Sequence, residues 1–461
     1  MPHISRRKFL VGCSTAIAAM AGARLTNIAF AAGGDVQETL IVVFLRGGWD
    51  ALNVVPVIAG PDREHYWGSR PTLRVLTSGD LNPNSQPLAR PIGVLGGNQF
   101  GLHPSLASLH TLFQNGNLAV IHAAGLNHGT RSHFDAMQYM ELGTPGQKTI
   151  STGWVTRYLQ TVSFPPTVLL PSLSAGSSRP TSVLGYPDNV ALSSASSINL
   201  AGSSTYRDQQ TRSLRAMYGN PAHWLDQAGL ETLDTVALFT QQNFGAYTPA
   251  NGAVYPNTGL GNNFRLIAQM IKANLGLRTA TVDFGGWDTH ENQGDATATS
   301  YMSTRLAELS NSLTAFFTDL DVGCPTYNSR TTVVVMSEFG RRLRENANRG
   351  TDHGHGNVML VLGRQVRGGL YGNWPGLRND QLFDRADLRI TTDYRAVLSE
   401  ILQRRMGRTP ADLATIFPGY AGYTPLGFMN DNTPSAPLPP AGPFSIFLPL
   451  VGRNSNAAAC P

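Results

Sequence analysis

Five short stretches concentrate the side chains able to do chemistry: Gly47-Gly48-Trp49-Asp50, Asn127-His128-Gly129-Thr130-Arg131-Ser132-His133, Gly285-Gly286-Trp287-Asp288-Thr289-His290, Ser337-Glu338-Phe339-Gly340 and Thr351-Asp352-His353-Gly354-His355-Gly356. The carboxylates Asp50, Asp288 and Glu338, with His290 and either His353 or His355, form a donor set suited to a borderline cation. Zinc or manganese is the expected metal, as one ion or as two close together. Such a site supports hydrolysis or transfer at phosphorus or sulfur, with a cation activating the nucleophile and polarising the ester. Ser132 is the expected nucleophile, with Arg131 and His133 beside it to steady charge. No G-x-S-x-G elbow occurs, so a Ser/His/Asp hydrolase is not indicated. Each residue also has a plain structural reading. An Asp after a glycine turn is ordinary turn chemistry, and Ser132 sits where a helix N-cap belongs.

What raises these residues above that reading is where the chain places them. Glu38–Leu45, Asn117–Ala123, Leu277–Phe284 and Thr331–Met336 are short, apolar and rich in β-branched residues, the pattern of strands buried on both faces. Asp50, Ser132, Asp288 and Glu338 each follow one of them. In open α/β sheets ligands bind at the carboxyl ends of strands. Asn357–Leu362 is a further expected strand. Helices are expected over Pro104–Asn115, Phe134–Leu142, Tyr301–Leu320 and Tyr394–Met406. Thr167–Leu170 is expected to be a short strand, and residues 61–100, rich in Pro, Gly and Asn, an insertion with little regular structure. The whole reads as an α/β domain with a largely parallel sheet.

The chain has 461 residues, 41% of them hydrophobic and 14% charged, enough for a sizeable core. Its formal charge of +5 includes Arg6, Arg7, Lys8 and Arg24, and the rest is close to neutral. No basic run follows them, so nucleic acid is not an expected partner. Ser5-Arg6-Arg7-Lys8-Phe9-Leu10, an apolar stretch and Ala29-Phe30-Ala31 read as a twin-arginine leader over residues 1–31. The expected location is therefore periplasmic or extracellular, with the twin-arginine translocase as a partner during export. Arg24 interrupts the apolar stretch, which disfavours a stable transmembrane anchor. Residues 38–428 are expected to form the main domain, and residues 429–461 an extended Pro-rich tail. Of the three cysteines, Cys324 and Cys460 follow the leader, and either a disulfide or two free thiols suits them.

Taken together, LIVVFLRGGWDALN, HGTRSHFDAMQYM, VDFGGWDTHENQ, VVVMSEFGRR, TDHGHGNVMLVLG and TTDYRAVLSEIL resemble the domain-of-unknown-function 1501 proteins, exported bacterial relatives of the alkaline phosphatase and sulfatase superfamily. The resemblance covers about Leu40 to Phe417. It implies an alkaline-phosphatase-like three-layer sandwich with a mostly parallel central sheet and metals at the strand ends. By motif order, Asp50 resembles the superfamily's first metal aspartate and Ser132 falls in the region of its nucleophile. Asp288 and His290 resemble its Asp and His pair, Glu338 a later aspartate, and His353 or His355 its last histidine. Two departures stand out: Phe339 follows Glu338 where the superfamily commonly has a histidine, and no formylglycine motif [CS]-x-P-x-R is present.

These observations imply a metal-dependent hydrolase acting on a small anionic ester, phosphate or related. The competing readings are a non-catalytic exported envelope or surface protein that keeps the fold, and a module binding an anionic glycan. The departure at Phe339 favours a non-catalytic protein, whereas Ser132, Asp50 and Asp288 favour the enzyme.

Overall fold

The computed structural model describes residues 38–430 except 83–84, 165–167, 196–198, 220–222, 242–246 and 421. The expected leader, Cys460 and the tail beyond Asn430 lie outside the described residues.

Strand β1 (Thr39–Leu45) is buried along its whole length, and its side chains alternate between two cores. Ile41, Val43 and Leu45 point into one, Leu40, Val42 and Phe44 into the other. This is the period of two expected of a strand covered on both faces. β2 (Val57–Ala59), β3 (Arg90–Leu95) and β4 (Asn98–Leu102) form a small separate sheet in the order β2-β4-β3. With the helix Arg63–Ser69 it gives regular structure to residues 61–100, where little was expected.

The main sheet continues with β5 (Leu118–Gly125), β6 (Ser172–Ala175), β7 (Asn189–Leu192), β8 (Thr279–Phe284) and β9 (Thr331–Met336). A two-stranded hairpin follows, β10 (Arg341–Glu345) with β11 (Thr351–His353). The chain then re-enters the main sheet as β12 (Asn357–Leu362), β13 (Gly369–Tyr371) and β14 (Thr392–Asp393). The order is β13-β5-β12-β9-β1-β8-β6-β7, with β14 also pairing β5. All neighbours are parallel except at β12, which runs against both β5 and β9. The chain is thus a mixed α/β protein built on a mostly parallel sheet.

Helices Ala107–Gln114, Gly259–Lys272 and Tyr301–Asp319 pack into the first core. His133–Leu142, Trp154–Gln160, Tyr394–Arg404 and Pro410–Ile416 pack into the second. Sheet and helices make three layers. No helix among the described residues is long and apolar enough to cross a membrane.

The direction of the strands locates the chemistry. β1, β5, β8 and β9 all run the same way, so the segments after them emerge at one edge of the sheet. β12 runs the other way and begins at that edge, which returns the hairpin β10–β11 to it.

Candidate metal centre

The loop after β8 carries Asp288 and His290, the helix after β5 opens with His133, and β11 ends at His353. One donor atom each from His133, Asp288 and His353 lies within 4.8 Å of the others. Asp288 Oδ1 is the hub, 3.4 Å from His133 Nε2, 3.1 Å from His290 Nε2 and 3.3 Å from His353 Nε2. His290 Nε2 and His353 Nε2 are 2.8 Å apart.

The tautomers follow from the partners on the far side of each ring. His133 Nδ1 lies 2.6 Å from Glu338 Oε1, His290 Nδ1 3.0 Å from Asp352 Oδ1, and His353 Nδ1 2.8 Å from the Arg131 carbonyl. A carboxylate or a carbonyl only accepts, so each Nδ1 donates and each neutral ring turns the lone pair of Nε2 inward. Three lone pairs then face Asp288 Oδ1, and none of the three imidazoles offers it a proton; its donor is Arg341, at 2.7 Å. His133 Nε2 is buried and makes no hydrogen bond.

This arrangement needs either protons or a cation. Donors at zinc-ligand bond lengths around a tetrahedral ion would stand about 3.3 Å apart, close to the three distances from Asp288 Oδ1 to the imidazoles. The outer bonds match how metal-binding histidines are held, with the second nitrogen tied to a carboxylate or a main-chain carbonyl. The residues therefore fit a borderline divalent cation.

Charge around the cluster is tuned by its surroundings. Burial works against ionisation of Asp288, but the hydrogen bond and charge of Arg341, helped by His133 and His290, prevail and hold its carboxyl down at about 2. Burial also opposes protonation of His133, yet the hydrogen bond and charge of Glu338 raise its pKa. For His353 burial and the neighbouring His133 win, and its pKa falls. Arg341 is fully buried. Besides Asp288 at 2.7 Å, it donates to the carbonyls of Gly47, Gly48, Trp287 and Thr351, and so rivets three loops together.

Several expected ligands stand elsewhere. Asp50 is 2% exposed and pairs with the guanidinium of Arg70, Nη2 to Oδ1 at 2.9 Å with Nη1 on the other oxygen. A buried carboxylate must find a counter-charge, and Arg70 supplies it at a residue expected to be a metal ligand. Glu338 is fully buried and accepts from Gly47 N, Ser337 Oγ and His133 Nδ1, so it orients a histidine rather than joining the inner group. His355 turns away and stacks on Phe383 at 3.9 Å; burial, with the charge of Arg131, pushes its pKa down to about 4. Of the two histidines left open by the sequence, His353 is the one in the cluster. His133, expected beside the nucleophile, is itself a donor of the inner group.

Ser132 is exposed and caps helix His133–Leu142, its hydroxyl accepting from Asp135 N at 3.4 Å. Arg131 is paired with Asp384 at 2.8 Å and with Asp387 at 2.6 Å, so its charge is shared rather than free. Phe339 packs against the rings of His133 and His353, with centroids 4.7 and 5.0 Å away. Phe339 is thus an apolar wall against two imidazoles.

The two GGWD copies sit side by side. Trp49 and Trp287 meet edge to face at 5.8 Å, and from there the aspartates part, Asp50 into the interior and Asp288 toward solvent. Close backbone approach is needed nearby. A Cβ on Gly340 would lie 1.9 Å from the Gly356 carbonyl oxygen, and one on Gly350 would lie 2.2 Å from the His290 carbonyl carbon. Arg70 and Gln293, which complete the surroundings of Asp50, carry no local signature in the sequence.

Among solved structures, the chain is similar to an alkaline phosphatase superfamily protein from Vibrio parahaemolyticus. The identity is 10% and the TM-score 0.32, over 81% of this chain and 72% of that one. It is also similar to an alkaline phosphatase from the Antarctic bacterium TAB5, at 12% identity and TM-score 0.27 over 72% and 94% of the two chains. A sulfatase from Pseudoalteromonas sp. is similar at 10% identity and TM-score 0.29, over 89% and 74%. No curated protein matches the chain. Residues 191–416, which carry Asp288, His290, Glu338 and His353, match the protein family of unknown function DUF1501.

Proposed function

We propose that this chain is an exported metal-dependent hydrolase of a small anionic ester, phosphate or related, and that His133, His290, His353 and Asp288 hold one zinc or manganese ion. The observation that carries the reading is the fixed tautomer of three histidines, each tied outward through Nδ1 and each presenting Nε2 to Asp288 Oδ1. When bound, the ion supplies Lewis acidity toward an ester oxygen and lowers the pKa of a coordinated hydroxyl. Glu338, Asp352 and the Arg131 carbonyl keep the imidazoles oriented and basic. Arg341 holds the Asp288 carboxylate ionised. Ser132, exposed and one residue before His133, is the nucleophile in this reading, with the free N–H groups of the helix start favouring an anion beside it. The twin-arginine pattern at residues 5–10 supports export.

A second reading, a non-catalytic envelope protein that keeps the metal for stability, is favoured by the capping role of Ser132 and the pairing of Arg131 with Asp384 and Asp387. Metal analysis of the folded protein, with an assay of aryl phosphate mono- and diesters on wild type, Ser132→Ala and His353→Ala, separates the two. Bound metal with turnover lost in both variants supports the enzyme. Bound metal without turnover supports the second reading, and a protein that takes up no metal defeats both.

A further inference from the structure

Gln293 is fully buried between the two segments that carry His290 and His353. Its Nε2 donates to Asp50 Oδ2 at 2.7 Å, and its Oε1 accepts from Thr289 Oγ1 at 2.8 Å and Thr351 Oγ1 at 2.7 Å. The carboxylate can only accept, so the amide has one orientation, and both lone pairs of its oxygen are in use. Thr289 lies between Asp288 and His290. Thr351 opens the strand that continues through Asp352 to His353.

The far end of this chain of contacts is anchored as firmly. Asp50 is held by Arg70, which also donates Nε to the Leu343 carbonyl and Nη2 to the Arg342 carbonyl, each at 2.9 Å. The path therefore closes on itself, from β10 through Arg70, Asp50 and Gln293 to the loop after β8 and to β11. Main-chain bonds run along it, from Thr351 N to the Thr289 carbonyl at 2.9 Å and from Gln293 N to the Arg349 carbonyl at 3.0 Å.

We infer that Gln293 is a positioning residue, which with the Asp50–Arg70 pair sets the spacing between the His290 and His353 segments and so presets the cluster for a cation. The inference rests on the metal-centre reading above for its consequence, but the coupling of the two segments stands apart from it. Fully satisfied buried polar networks specify one arrangement, and loss of the central member leaves its partners unpaired. Asp50 thereby has a use in this chain without being a ligand.

The test is Gln293→Leu in the whole protein, with Thr289→Val and Thr351→Val each cutting one arm. Amide hydrogen exchange without metal reads the coupling, and zinc titration with the absorption spectrum of the cobalt-loaded protein reads the site. Gln293→Leu is expected to raise exchange in residues 287–293 and 350–353 together, to weaken zinc binding by about 10- to 100-fold and to alter the cobalt spectrum. Each threonine variant should loosen chiefly its own segment, and this pair decides the matter if Gln293→Leu does not fold. Unchanged exchange in either segment of a folded Gln293→Leu, or unchanged zinc affinity, overturns the inference. A wild type that binds no zinc defeats the metal-centre reading alone, and the exchange measurements still decide whether Gln293 couples the two segments.

Discussion

His290 Nε2 and His353 Nε2 face each other at 2.8 Å while the opposite nitrogen of each ring is committed to a separate acceptor. Two neutral imidazoles so tied cannot hydrogen-bond to each other, so the pair is stable only with a positive charge between or beside the rings. One metal ion per chain is the expected stoichiometry, because Arg70 already occupies the cationic position at Asp50. Zinc at a hundred times its dissociation constant should stabilise the fold by about 2.7 kcal/mol, read as a rise in unfolding temperature that His353→Ala abolishes. Two ions per chain by elemental analysis would contradict the single site.

Glu338 is expected to matter for metal affinity without touching the metal. In Glu338→Gln the hydrogen bond that orients and polarises His133 is weakened, and zinc affinity should fall by about 10- to 100-fold. Competition with a chromophoric chelator measures it. Affinity equal to wild type would show that His133 is not a donor.

The Asp50–Arg70 pair predicts a strong and non-additive effect on stability. Arg70→Leu leaves a carboxylate buried without its partner and should cost about 3–5 kcal/mol in denaturant unfolding. Asp50→Asn combined with Arg70→Leu should recover much of that loss, since no uncompensated charge remains. A simple sum of the two single effects would argue against direct pairing.

Two buried histidines outside the cluster predict acid sensitivity. His122, in β5, accepts from Ala123 N at 3.0 Å and lies 3.1 Å from the Val55 carbonyl, so its neutral form satisfies both nitrogens. Burial pushes its pKa down to about 4, and that of His103 to about 3. The unfolded chain takes up these protons near pH 6.5, which the folded chain refuses, so stability falls as pH drops below about 6.5. Each group should contribute a slope of about 1.4 kcal/mol per pH unit until its own folded pKa is reached. Unfolding midpoints from pH 7 to 4.5 check this, and His122→Gln should flatten the curve by one proton. A flat wild-type profile between pH 6.5 and 5 would contradict it.

Gly350 offers a local test of the hairpin. Gly350→Ala would drive a Cβ into the His290 main chain and should weaken zinc binding together with stability, whereas Gly97→Ala meets no neighbour within 4 Å. Gly97 has a positive φ of 77°, so the comparison separates backbone strain from crowding. Equal zinc affinity in both variants would show that the contact does not shape the site.

The apolar strands β1, β5, β8, β9 and β12 were legible because a run of β-branched residues has few alternatives when both faces are covered. β6 and β7 were not. In β6, Ser172 and Ser174 are buried yet polar, and they are paired with Thr279 at 3.1 Å, Thr281 at 3.1 Å and Asn189 at 2.8 and 3.0 Å. A strand whose inner face is a ladder of hydroxyls has no apolar period to detect. The site was partly legible for a similar reason. Asp288, His290 and His353 are marked by glycines and by the strands before them, but the fate of Asp50 depends on Arg70 and Gln293, brought close only by the fold.

The reversed strand β12 bears on how the site assembles. Because it pairs antiparallel to β9 in the register Leu360 with Val335, the segment from Thr331 to Leu362 closes on itself through a local hairpin. Glu338, Phe339 and His353 thus come from one stretch of low contact order, whose loop-closure entropy is modest. His133 and Asp288 must reach it from far along the chain. During folding, one wall of the centre can form early and serve as the template on which the distant donors settle.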